Sequence, residues 1–84
     1  MSYRASIVRS AQAEFASLPD SIRARIELRL LDLAAEPRPH GSQKLRQTER
    51  YRIRVGNYRV IYAINDAERM VVILSIGHRK EIYR

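Results

Sequence analysis

The sequence predicts an α+β domain in the order β-α-α-β-β-β, with two N-terminal helices packed on a small, mainly antiparallel, twisted sheet. Three observations predict it. Side chains alternate with a period of two on either side of Gly56-Asn57, an apolar run extends from Met70 to Ile76, and apolar residues recur at helical spacing between Ser10 and Ala35. With 84 residues the chain has room for one compact domain, spanning 1–84, and little beside it.

Tyr3, Ala5 and Ile7 alternate with Arg4, Ser6 and Val8, the pattern of a short strand. Ser10 is placed to cap a helix carrying Ala11, Phe15 and Leu18, and Pro19-Asp20-Ser21 ends that helix and starts the next. The second helix, 20 to 35, has two apolar stripes: Ile22, Ile26, Leu30 and Leu33, and nearly opposite them Ala24, Leu28, Leu31 and Ala35. One stripe can cover a sheet. The other is expected to pack on the first helix in a hairpin, or else to stay exposed until a partner covers it.

Two prolines and a glycine in Glu36-Pro37-Arg38-Pro39-His40-Gly41 forbid helix, and Lys44-Leu45-Arg46 starts a strand or rims a cleft. Tyr51, Ile53 and Val55 then alternate with Arg52 and Arg54. A II′ turn at Gly56-Asn57 leads into Tyr58, Val60 and Tyr62, alternating with Arg59, Ile61 and Ala63. Asn65 to Arg69 forms a second turn, and the apolar stretch from Met70 reads as a central strand covered on both faces.

The formal net charge is +7, and Lys44 and Lys80 are the only lysines among sixteen basic residues. A field of this sign attracts RNA, DNA or an acidic protein, and arginine's planar fork matches phosphate and carboxylate. A GC-rich genome would favour arginine as well, so the placement of the arginines carries more weight than their number. There is no cysteine, which leaves no disulfide framework and no thiolate metal site, and with only two histidines neither a structural zinc site nor another metal site is expected. No apolar stretch has signal-peptide or membrane-spanning length, so the reading is cytoplasmic. Gly-rich phosphate loops, Ser/His/Asp sets and paired carboxylates are also missing, and no cofactor is expected.

A two-residue loop at Gly56-Asn57 sets Arg54 opposite Arg59, on the same side as Arg52. Like charges so opposed are unfavourable for stability and suggest a site awaiting a polyanion. His78, Arg79, Lys80 and Tyr83 follow the last strand and can return an imidazole, a guanidinium and a phenol over that face. Together these are the parts for cleaving RNA without metal: a base for the ribose 2′-hydroxyl, cations for charge on phosphorus, and an acid for the leaving oxygen. Beside two cations, His78 is expected to be neutral and able to accept a proton, while His40 reads as structural. Lys44, Arg46 and Lys80 are candidate RNA contacts, and Leu28 and Leu31 a candidate partner-binding stripe. Tyr51, Tyr58 and Tyr62 lie on the strand face away from the arginines and read as core.

The segment Tyr-Arg-Ile-Arg-Val-Gly-Asn-Tyr-Arg-Val-Ile-Tyr from Tyr51 to Tyr62, followed by Ile-Gly-His-Arg-Lys-Glu-Ile-Tyr from Ile76 to Tyr83, resembles the RelE/ParE superfamily of bacterial and archaeal toxins. Leu-Pro-Asp-Ser-Ile-Arg and Lys44-Leu45 fit it too, so the likeness covers essentially the whole chain. It implies the toxin of a type II toxin-antitoxin system, with no cofactor and an acidic cognate antitoxin. In the RelE branch the toxin is a ribosome-dependent endoribonuclease that cuts mRNA in the A site; in the ParE branch it poisons DNA gyrase. A third outcome is an inactive homologue that only binds antitoxin, and operator DNA through that complex. The RelE catalytic set maps onto Arg52, Arg54, Arg59, Arg79 and Tyr83. The family's hairpin lysines are arginines here, which clamp phosphate but carry protons poorly. The spacing from Arg79 to Tyr83 is short and no final helix is expected, which makes His78 the better candidate for base.

Overall fold

The computed structural model describes residues 2–82, so Tyr83 lies outside the described residues. The elements run β1 (Arg4–Ile7), α1 (Arg9–Ala16), α2 (Asp20–Ala35), β2 (Gln43–Lys44), β3 (Arg50–Val55), β4 (Tyr58–Asn65), β5 (Met70–His78) and α3 (Arg79–Ile82). One sheet forms in the order β1-β5-β4-β3-β2, parallel between β1 and β5 and antiparallel elsewhere. The expected order is therefore present, with a short β2 at Lys44 and a closing helical turn added.

The Val8 N–H still bonds the Ile73 carbonyl, at 3.1 Å, and Val8 then caps α1. Helix formation begins directly behind the strand, so Ser10, expected as the cap, falls inside the first turn. At the other end Arg23 donates to the carbonyls of Ala16 and Leu18, at 3.3 and 3.4 Å, and pairs with Asp20. It thereby answers carbonyls that the end of α1 leaves open.

Ile26, Leu30 and Leu33 of α2 are buried together with Ile53, Val60, Tyr62, Val71, Ile73 and Ile76 of the sheet. Each such side chain contributes about 1.5–3 kcal/mol by leaving water. The second stripe of α2 does not pack on α1 as a hairpin. Leu28 and Leu31 are 64% and 65% exposed, because the eight-residue α1 is engaged with β5.

One irregularity sets the orientation of the C-terminal half of the sheet. Ile61 pairs with Ser75 and Tyr62 with Ile73, which leaves Leu74 as a bulge. The extra residue resets the alternation, so that Val71, Ile73 and Ile76 are all buried with the helices. Val72 and Leu74, on the other face, are only half-buried. β5 is thus covered on one face, not on both as its apolar run suggests.

The chain passes from β5 straight into α3. The Arg79 N–H bonds the Asn57 carbonyl at 2.9 Å, and the Lys80 N–H bonds Nδ1 of His78 at 3.2 Å, an N-cap made by a histidine. That local capping explains a final helical turn where none is expected.

Candidate functional site

The β3–β4 hairpin positions the site. Gly56 has φ +62°, as the first position of a II′ turn requires, and the register that follows sets Arg54 opposite Arg59 and Arg52 opposite Ile61. Tyr58, Val60 and Tyr62 face the helices, so these arginines occupy the sheet face that the helices leave uncovered. Arg50 pairs with Ala63 and lengthens the row on β3 to Arg50, Arg52 and Arg54. Sequence reading began the strand one residue later and so missed it, although the two-residue period already pointed there.

Arg59 is only 7% exposed, with Arg54 on one side and Gly77 on the other. Its Nη1 donates to the Tyr58 carbonyl at 3.2 Å, while its buried Nε meets no acceptor among the described residues. A guanidinium out of water without a counter-ion is costly, and an oxyanion satisfies it. Arg59 is thus closed off from solvent although it stands on the sheet face that the helices leave uncovered. Arg52 donates to Oε1 of Gln43, its register partner on the edge strand. Arg79 is exposed, and its backbone bond to Asn57 holds it against the hairpin turn.

The other candidates separate from this face. His78 pairs with Tyr58, and their rings meet edge to face with centroids 5.4 Å apart, so the imidazole lies on the helix side of the sheet. Its return over the arginines is not met, because the Leu74 bulge inverts the phase of the strand that carries it. Lys44 pairs with Tyr51, away from the arginine face, and its ammonium lies 3.7 Å from Glu49. Arg46 is exposed in the β2–β3 loop, Lys80 is exposed on α3, and Leu28 and Leu31 are exposed on α2.

The imidazole that does border the arginines is His40. It lines a groove of about 470 Å³ with Arg29, Gly41, Gln43, Arg52 and Arg54. Sequence reading took His40 as structural because its Pro-rich surroundings carry no sign of a site. No group of three or more His, Cys, Asp or Glu suited to a metal ion occurs among the described residues. No helix among them is long and apolar enough to cross a membrane. The arrangement can bind an oxyanion through several guanidinium groups, with an imidazole at its rim.

Three comparisons bear on this geometry. Residues 6–83 match the family described as the ParE toxin of the type II toxin-antitoxin system parDE. The chain is 35% identical to Toxin RelG of Mycobacterium tuberculosis, over all of this chain and 99% of that one. It is similar to the archaeal RelE-RelB complex from Pyrococcus horikoshii, with a TM-score of 0.85 and 32% identity, covering 96% of this chain and 99% of that chain. The toxin-antitoxin complex RelBE2 from Mycobacterium tuberculosis gives a TM-score of 0.84 and 30% identity, covering 94% and 100%.

Proposed function

Since the chain belongs to the RelE/ParE family of type II toxin-antitoxin toxins, we propose that it is a ribosome-dependent endoribonuclease that cuts mRNA in the A site. One observation carries this reading. Arg59 is buried beside Arg54 and has no counter-ion among the described residues, which suits a site that takes a phosphate. The likeness to RelE structures supports the RelE branch.

In this proposal Arg52, Arg54, Arg59 and Arg79 hold and neutralise the scissile phosphate. The ribose 2′-hydroxyl loses its proton and attacks phosphorus, a new P–O bond forms to the 2′ oxygen, and the bond to the 5′ oxygen breaks. The products are a cyclic phosphate and a 5′-hydroxyl, which takes up a proton. His40 is the proton carrier we assign, in place of His78. The ribosome supplies alignment of the message, which a site this open does not provide alone. Arg46 and Lys80 serve as outer phosphate contacts, and a cognate antitoxin silences the toxin. Operator DNA is reached only through that complex, in the cytoplasm.

The match to the ParE family model favours a second reading, inhibition of DNA gyrase. Inducing the protein while pulse-labelling separates the two. The nuclease reading expects protein synthesis to stop before DNA synthesis. A DNA-damage response and filamentation with intact messages would replace it with the gyrase reading.

A further inference from the structure

Gln43 opens the two-residue strand β2, and the chain on either side of it is tied to the sheet. It pairs with Arg52, Lys44 pairs with Tyr51, and the Leu45 N–H carries the ladder on to the Arg50 carbonyl at 2.8 Å. Ahead of the strand, Gly41 turns with φ +95° and the Ser42 N–H bonds the Pro39 carbonyl at 2.9 Å. The Pro37 carbonyl accepts the buried Tyr62 hydroxyl at 2.7 Å. The register of β2 is thereby fixed, and with it the place of the Gln43 side chain beside Arg52.

Arg52 donates from Nη2 to Oε1 of Gln43. A guanidinium holds its five N–H groups in one rigid plane, so a bond at Nη2 orients the whole fork. Arg50 and Arg54 flank Arg52 two residues away on the same strand face, where like charges push long side chains apart. The acceptor that steadies Arg52 is an amide, and among the described residues no carboxylate lines the groove that Gln43 and Arg52 share with Arg29, His40 and Arg54.

We propose that Gln43 is a positioning residue for the message phosphate: its amide oxygen orients Arg52 against the repulsion of its neighbours and leaves the guanidinium its full charge. A carboxylate at this position would hold Arg52 more tightly, because a charge-assisted bond is about twice as strong as a neutral one. It would also neutralise the cation that a phosphate needs. An edge strand chosen for stability alone would carry that carboxylate, since it relieves the repulsion along Arg50, Arg52 and Arg54. The amide separates ordering from neutralisation. Gln43 therefore acts through Arg52, by reducing the freedom that the guanidinium would otherwise lose when it takes the phosphate.

This inference rests on the phosphate-binding set proposed above, and its test uses binding, which does not need cleavage. A labelled short single-stranded RNA is titrated with the full chain by fluorescence anisotropy at several salt concentrations. Gln43→Met keeps the length of the side chain and removes the acceptor, and should weaken binding roughly threefold to tenfold. In an Arg52→Ala background the same substitution should change affinity by less than about twofold, because its effect passes through Arg52. Gln43→Glu should melt at or above the wild-type temperature yet bind less tightly, with the slope of log affinity against log salt shallower by about 0.7, one single-strand phosphate contact. Gln43→Met should leave that slope unchanged. A loss in Gln43→Met that persists without Arg52 would make Gln43 a direct RNA contact and overturn the proposal. So would full affinity in Gln43→Met, or a wild-type salt slope in Gln43→Glu. If Arg52→Ala itself binds as tightly as the wild type, Arg52 leaves the phosphate set and the proposal falls with it. The expected coupling in a protein that never cuts a message would sink the nuclease reading alone.

Discussion

Arg38 donates through Nη1 and Nη2 to both oxygens of Asp66, at 3.2 and 2.9 Å, and so ties the connection after α2 to the β4–β5 turn. Tyr3 adds its hydroxyl to Asp66 at 2.6 Å, and Arg38 also donates to the Tyr51 hydroxyl at 3.1 Å while lying over that ring. The Arg38 bond, and after it the Tyr3 bond, holds the Asp66 carboxyl below its ordinary value.

A carboxylate with a depressed folded-state value stabilises the fold above its unfolded pKa and loses that contribution as pH falls through the lower, folded one. Thermal melts of the wild type should therefore decline on an acid limb that begins near pH 4. Asp66→Asn should melt lower at neutral pH and show a shallower limb. An unchanged limb would remove Asp66 from the acid response.

Arg59 is held out of water with no counter-ion among the described residues, so an apolar side chain of similar length should be tolerated or stabilising in its place. Arg59→Met should melt at or above the wild-type temperature while RNA affinity falls by roughly tenfold or more, the loss of a charge-assisted contact. A large drop in melting temperature would show that Arg59 serves the fold and weaken its assignment to phosphate.

The hairpin was legible because nothing interrupts its alternation between Tyr51 and Val55 and because Gly56-Asn57 allows one tight turn. From these the facing of Arg54 and Arg59 follows. The phase of β5 was not legible. Met70 to Ile76 is nearly uniform in polarity, so no alternation marks where Leu74 bulges, and a reading without the bulge puts His78 on the wrong face. His40 was hidden for a different reason: it reaches Arg52 and Arg54 through a loop, and loops carry no periodicity. The exposure of Leu28 and Leu31 depended on where α1 packs, which spacing within α2 does not encode.

The two histidines should consequently behave in opposite ways. His40→Gln should slow ribosome-dependent cleavage by roughly a hundredfold and flatten its pH dependence, as removal of a proton carrier does. His78→Gln should cut nearly as well as the wild type, with fraying of the last turn as its main effect, since His78 caps Lys80 and packs on Tyr58. The reverse pattern would return the proton to His78.

The most direct measurement is primer extension on a message translated by purified ribosomes, with the wild-type protein and its Arg54→Ala and Arg59→Ala variants. The account predicts cuts within translated codons only, absent when ribosomes are omitted, and reduced on the order of a hundredfold to a thousandfold by each substitution. Intact messages in every lane, with purified gyrase inhibited by the same preparation, would contradict it.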